Sequence, residues 1–145
     1  MSSDFKSILL LSLLFTIFFV SGCEKRHQYE IYENHDITAC GVKDPLRNIE
    51  WIKNHRAGHP RPHYMVVSLY EDFETKANFI VIDEGTPFVP DRSPSAIFVE
   101  TVYTCDGIFI FSHGTEGPYP EGWDEFFEKV NLVGTIWSCK RVDKK

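Results

Sequence analysis

A strongly apolar run near the start of the chain limits what the remainder can build. Lys6 supplies a positive charge, and residues 7–20 follow with a stretch dominated by Leu, Ile and Phe, among them Leu9, Leu10, Leu13, Phe15 and Phe18. A helix needs about 20 apolar residues to cross a bilayer. This run is shorter and ends on the small residues Ser21 and Gly22, which is the plan of a cleaved signal peptide and not of a membrane span. Residues 1–22 are therefore expected to be removed. Residues 23–145 then suffice for one hydrophobic core and are too few for two ordinary domains.

The segment Val20-Ser21-Gly22-Cys23 resembles the lipobox of bacterial lipoprotein precursors: a branched apolar residue, two small ones, then the cysteine whose thiol takes a diacylglycerol. Cys23 is the expected lipidation site and mature N-terminus, and its lipid makes a membrane the first expected partner. Each buried methylene contributes about 0.8 kcal/mol, so two or three acyl chains give stable anchoring where one would be marginal. Glu24 follows where inner-membrane lipoproteins resemble one another in carrying aspartate, so the resemblance implies an outer-membrane address. The short basic cluster Lys25-Arg26-His27 would lie beside the lipid, near anionic headgroups or in a solvated linker.

Removal of the leader takes away one Asp (Asp4) and one Lys (Lys6), so the formal charge of -6 is unchanged. An acidic domain of this kind argues against a nucleic-acid partner, which requires a basic stripe. Beyond the lipid cysteine, Cys40, Cys105 and Cys139 remain in an oxidising compartment where disulfides persist. They allow one bond in three possible pairings. A bond that includes Cys40 is favoured, because it would pin the segment before the first helix to the sheet, and the leftover thiol is expected to be a buried small hydrophobe.

Residues 23–38 are polar, charged and without period, and read as a flexible tether. A domain is expected over 39–140, with a basic tail at 141–145. Asp44-Pro45 opens a helix of about three turns, with the Asp44 carboxylate as cap and Leu46, Ile49 and Ile52 on one face, ending before Gly58. Strands are expected at 64–70 (YMVVSLY), 78–83 (NFIVID), 96–105 (AIFVETVYTC) and 107–112 (GIFIFS), with a Pro-rich loop at 84–95. Asp106-Gly107 suits a primed turn and predicts an antiparallel hairpin. In residues 121–131, Trp123, Phe126, Phe127 and Val130 fall at helical spacing, and residues 132–138 (LVGTIWS) close the chain as an edge strand. The expected fold is α+β: an antiparallel sheet of about five strands with two helices packed on one face.

With these elements in place, the chain resembles a family of small lipoproteins of unknown function from Gram-negative bacteria. The shared pattern is the lipobox cysteine, Cys40-Gly41 leading into Asp44-Pro45-Leu46 and Trp51, the turn Tyr103-Thr104-Cys105-Asp106-Gly107, and a closing Ile136-Trp137. Two positions depart from it: Glu50 stands where a Pro usually precedes the Trp, and Phe111 where a second cysteine often follows the turn. The resemblance implies the address and the fold and carries no activity.

His55, His59 and His63 recur every four residues, a spacing that on a helix would make a metal-binding face with a nearby Asp or Glu. Gly58, Pro60 and Pro62 argue for a loop instead. Cys105, Asp106 and His113 are a thiol, a carboxylate and an imidazole flanking one hairpin, which turn chemistry explains better than nucleophilic catalysis. Trp51, Trp123, Phe126, Phe127 and Trp137 read as core, and residues 114–122 (GTEGPYPEG) as a long exposed loop able to carry recognition. No Walker loop, dinucleotide fingerprint, HExxH, CxxC or GxSxG occurs in the chain. The sequence thus assigns no catalytic, cofactor or metal residue and points to a lipid-anchored, non-enzymatic binding module for an envelope protein or cell-wall component. The alternative is a metal-binding or hydrolytic envelope protein that uses the His55/His59/His63 loop, and convergence of those imidazoles on a carboxylate is what separates the two.

Overall fold

The computed structural model describes residues 28–59, 64–86, 97–115 and 117–142. The leader, Cys23, the Lys25-Arg26-His27 cluster, His63, most of the Pro-rich loop and residues 143–145 lie outside the described residues. Eight strands are present among the described residues: β1 (Gln28–Glu33), β2 (Thr38–Ala39), β3 (Val42–Lys43), β4 (Tyr64–Asp72), β5 (Asn78–Thr86), β6 (Ile97–Thr104), β7 (Phe109–Gly114) and β8 (Val130–Val142). Three short helices join them: α1 (Pro45–Asn48), α2 (Glu50–Gly58) and α3 (Trp123–Phe127). Six strands form one antiparallel sheet in the order β1-β8-β4-β5-β6-β7, and β2 and β3 pair separately. The α+β class expected from the sequence holds, with a larger sheet than expected.

The helices do not share a face. Leu46, Ile49 and Ile52 of the α1–α2 region join Met65, Val67, Leu69, Ile80, Ile82 and Trp137 in one core cluster. Trp123 of α3, with Phe126 and Phe127 beside it, joins Val81, Val102 and Phe111 in a second. The reason is visible in β5: Phe79-Ile80-Val81-Ile82 is apolar without alternation, so both faces of the central sheet must be covered. The expectation of two helices on one face is corrected accordingly.

Two boundaries and one strand position differ for physical reasons. Residues 28–33, expected within the tether, form β1 and pair with β8 along Gln28↔Val142 to Glu33↔Trp137. The pairing sets Glu30 opposite Lys140, an opposite-charge cross-strand pair, and draws the expected basic tail into the ladder as far as Val142. β8 therefore lies between β1 and β4 and not at an edge. Register shifts between Val67 and Ser68 and between Leu69 and Tyr70 mark bulges, the first of which brings both Ile136 and Trp137 into the first core cluster.

The expected three-turn helix is broken at Ile49, whose extended backbone (φ -99, ψ 108) separates α1 from α2. Asp44 does not cap it as expected. Its backbone is left-handed and makes no side-chain cap bond, while its carboxylate accepts from His35 Nδ1 at 3.0 Å. The β6–β7 hairpin is present, but its turn is not primed: Gly107 N–H donates to Thr104 O at 3.0 Å, and Gly107 alone in that turn takes positive φ (+77). The helix expected over 121–131 is short, because Val130 already begins β8.

Candidate functional site

Helix α2 is held at both ends. Near its start, Trp51 packs on Tyr103 with ring centroids 5.3 Å apart, and its indole N–H donates to Cys105 O at 2.8 Å. Cys105 is bonded to Cys40, a disulfide that includes Cys40 as the sequence favoured and ties the segment before α1 to the β6–β7 turn. The Cys40 backbone N–H also donates to Asn78 Oδ1 at 2.8 Å, so β5 shares the junction. Cys139 stays outside the disulfide and is buried in the first core cluster, where burial pushes its thiol up from the ordinary cysteine range.

At the other end of α2, His55 and His59 meet Glu84 of β5. His55 Nε2 lies 2.8 Å from Glu84 Oε1, and His59 Nδ1 donates to the backbone carbonyl of His55 at 3.0 Å. The two rings are 4.8 Å apart, centroid to centroid. One ligand-capable atom from each of the three residues lies within 4.8 Å of the other two. Glu84 is half-buried, and the hydrogen bond from His55 holds its carboxyl below the usual range against the opposing effect of burial. Tyr103 feels the same carboxylate: burial first, and Glu84's charge second, push its phenol up.

His55 and His59 are thus two of the three histidines singled out by spacing: His55 lies on α2, which runs through the Gly58 expected to end it, and His59 follows as its first non-helical residue. Glu84 was missed. It sits in the segment expected to be a loop, whereas β5 continues to Thr86. The available clue was alternation: Ile80, Ile82 and Glu84 share one face of β5, and the first two point into the core against α2.

The other constellations separate. Cys105 is oxidised at one end of the hairpin, while His113 pairs across from Glu100 towards the other end of β7 and stacks on Tyr119 at 3.9 Å. The aromatic set is divided between the two faces, with Trp51 and Trp137 in the first cluster and Trp123, Phe126 and Phe127 in the second. In the 114–122 loop, Tyr119 is 61% exposed beside Trp123.

Exposed apolar side chains occur at both ends of the sheet, with Ile31, Tyr32, Phe98 and Val99 at the end where β1 starts. The register places the start of β1 beside the end of β8 and at the end of the sheet where β4 begins and β5 finishes. The opposite end, where β4 finishes and β5, β7 and β8 begin, exposes Phe73, Ile108, Phe109, Leu132 and Val133. No helix among the described residues is long and apolar enough to cross a membrane. No known protein family, curated protein or solved structure matches this chain.

Proposed function

We propose that the chain is a lipid-anchored lipoprotein of the bacterial cell envelope, with an outer-membrane address, whose domain binds an envelope protein or a cell-wall component and does not catalyse a reaction. The short reach from Cys23 to β1 carries this reading. β1 begins at Gln28, so residues 24–27 alone separate it from Cys23, a reach of roughly 17 Å when extended. A lipid on Cys23 would hold that end close to the headgroups and turn the end bearing Phe73, Ile108, Phe109, Leu132 and Val133 away from the bilayer. Exposed apolar side chains at the end remote from an anchor stay free to meet a partner, whereas Ile31, Tyr32, Phe98 and Val99 would lie on the bilayer side. The Cys40–Cys105 disulfide supports an oxidising compartment.

Replacing Cys23 with Ser should abolish incorporation of labelled palmitate and shift the protein from the membrane fraction to the soluble fraction or stall its precursor. Unchanged partitioning and labelling would refute the anchor. For the binding role, a photo-crosslinking side chain at Ile108 should give one discrete adduct in intact cells that the same probe at Glu30 does not. Equal, diffuse labelling from both positions would count against it.

A further inference from the structure

We propose that His55, His59 and Glu84 form a site for one first-row divalent transition-metal ion of the zinc or copper(II) kind, with at least one coordination position left to water. His55 and His59 converge on Glu84, the feature expected of the metal-binding alternative, and a metal there can coexist with a binding role and stands independently of the lipid anchor. Two imidazoles and one carboxylate are a borderline donor set that suits such ions, whereas calcium takes 6–8 oxygen ligands. Bonds of about 2.0–2.2 Å set ligand atoms roughly 3–3.5 Å apart around a tetrahedral ion. One ring nitrogen of each histidine and one carboxylate oxygen of Glu84 already lie within 4.8 Å of one another, and the His55–Glu84 pair at 2.8 Å needs only to open slightly.

The hydrogen bonds prepare the donors. A backbone carbonyl can only accept, so His59 Nδ1 carries its proton towards His55 O, and in the neutral ring the Nε2 lone pair is free for an ion. Between His55 Nε2 and Glu84 the metal-free protein holds a proton at 2.8 Å. The ion takes the place of that proton: in the neutral ring the proton passes to Nδ1 of His55, and the Nε2 lone pair and a carboxylate oxygen turn to the metal. The groups that face the pair are His59 from the end of α2 and Tyr103 from β6, while Arg56, between the two histidines, turns away to Glu33.

The scaffold makes the site rigid before any ion arrives. Ile49 and Ile52 seat α2 in the core, and Glu84 lies on a strand paired on both sides, opposite Met65 and Val99. A plain surface ion pair beside a helix end accounts for the same distances, but it predicts no affinity for metal.

The test is calorimetric titration of the full chain, without a histidine tag and in detergent, with zinc(II) at pH 7.5. One ion per chain should bind at about micromolar Kd or tighter, and Glu84→Gln and His59→Ala should each weaken binding by about tenfold or more. His113→Ala should bind as the parent does. Cobalt(II) should give visible d–d absorption that these two variants lose, with circular dichroism confirming that both keep their fold. Absence of heat up to about 1 mM zinc, or equal titrations for the parent, Glu84→Gln and His59→Ala, would overturn the site.

Discussion

A β-carbon added to Gly107 would lie 2.9 Å from ring atoms of Trp51, at a backbone φ of +77 that L side chains rarely adopt. Gly107→Ala should therefore cost about 1–3 kcal/mol in urea denaturation, by combining strain with displacement of the indole from its bond to Cys105 O. A second residue-scale effect has the opposite sign. Asp83 and Glu100 face each other across β5 and β6, and burial pushes both carboxyls above their ordinary range, with Asp83's charge adding to the shift of Glu100. A carboxyl whose folded pKa is raised favours the fold most below its unfolded pKa of about 3.9, and loses that contribution as pH rises through the folded value. Asp83→Asn keeps an acceptor for the Tyr64 hydroxyl and removes one of the like charges, so it should raise stability at pH 7 by up to about 1 kcal/mol. The gain should vanish near pH 3. A loss of stability at pH 7 would show that the pair is compensated.

At the scale of elements, β1 is an edge strand whose attachment rests on β8 and on one tie to α2. Glu33 at its end pairs with Arg56, whose guanidinium lies 5.6 Å over the Trp137 ring, and with His35 at 3.2 Å. Arg56→Ala should accelerate amide hydrogen exchange in residues 28–33 by about two- to fivefold, the worth of a partly exposed ion pair, with β4 and β5 unchanged. Uniform acceleration across the sheet would mean that β1 does not open by itself. This strand was illegible in the sequence for a definite reason: Gln28-Tyr29-Glu30-Ile31-Tyr32-Glu33 buries little, and only its pairing with a distant segment makes it a strand. By contrast, the β6–β7 hairpin was legible because a local Asp-Gly turn joins two β-rich runs. The helix in residues 44–58 was legible in its apolar face but not in its break, since the extended backbone at Ile49 serves the core and not helix propensity. His55 and His59 were legible by spacing, and Glu84 was hidden by the prolines that follow β5.

For the whole molecule, the Cys40–Cys105 bond spans 65 residues of sequence and joins the first described third of the chain to the β6–β7 turn. Cross-linking a loop of that length removes entropy from the unfolded ensemble, so the paired substitution Cys40→Ser and Cys105→Ser should cost about 2–4 kcal/mol in chemical denaturation. A cost near zero would show that the surrounding packing, including Trp51 and Asn78, holds the junction unaided. By itself, the sequence determined what depends on near neighbours: the strands at 64–70 and 78–83, the hairpin, and the amphipathic stripe of Trp123, Phe126 and Phe127. Tertiary structure alone decided the central place of β8, the capture of β1, the opposite faces taken by the helices, and the meeting of His55 and His59 with Glu84. Those outcomes depend on which distant segments pair and in what register, and the free energy of such pairing comes from burial shared between elements, which no local window of sequence contains.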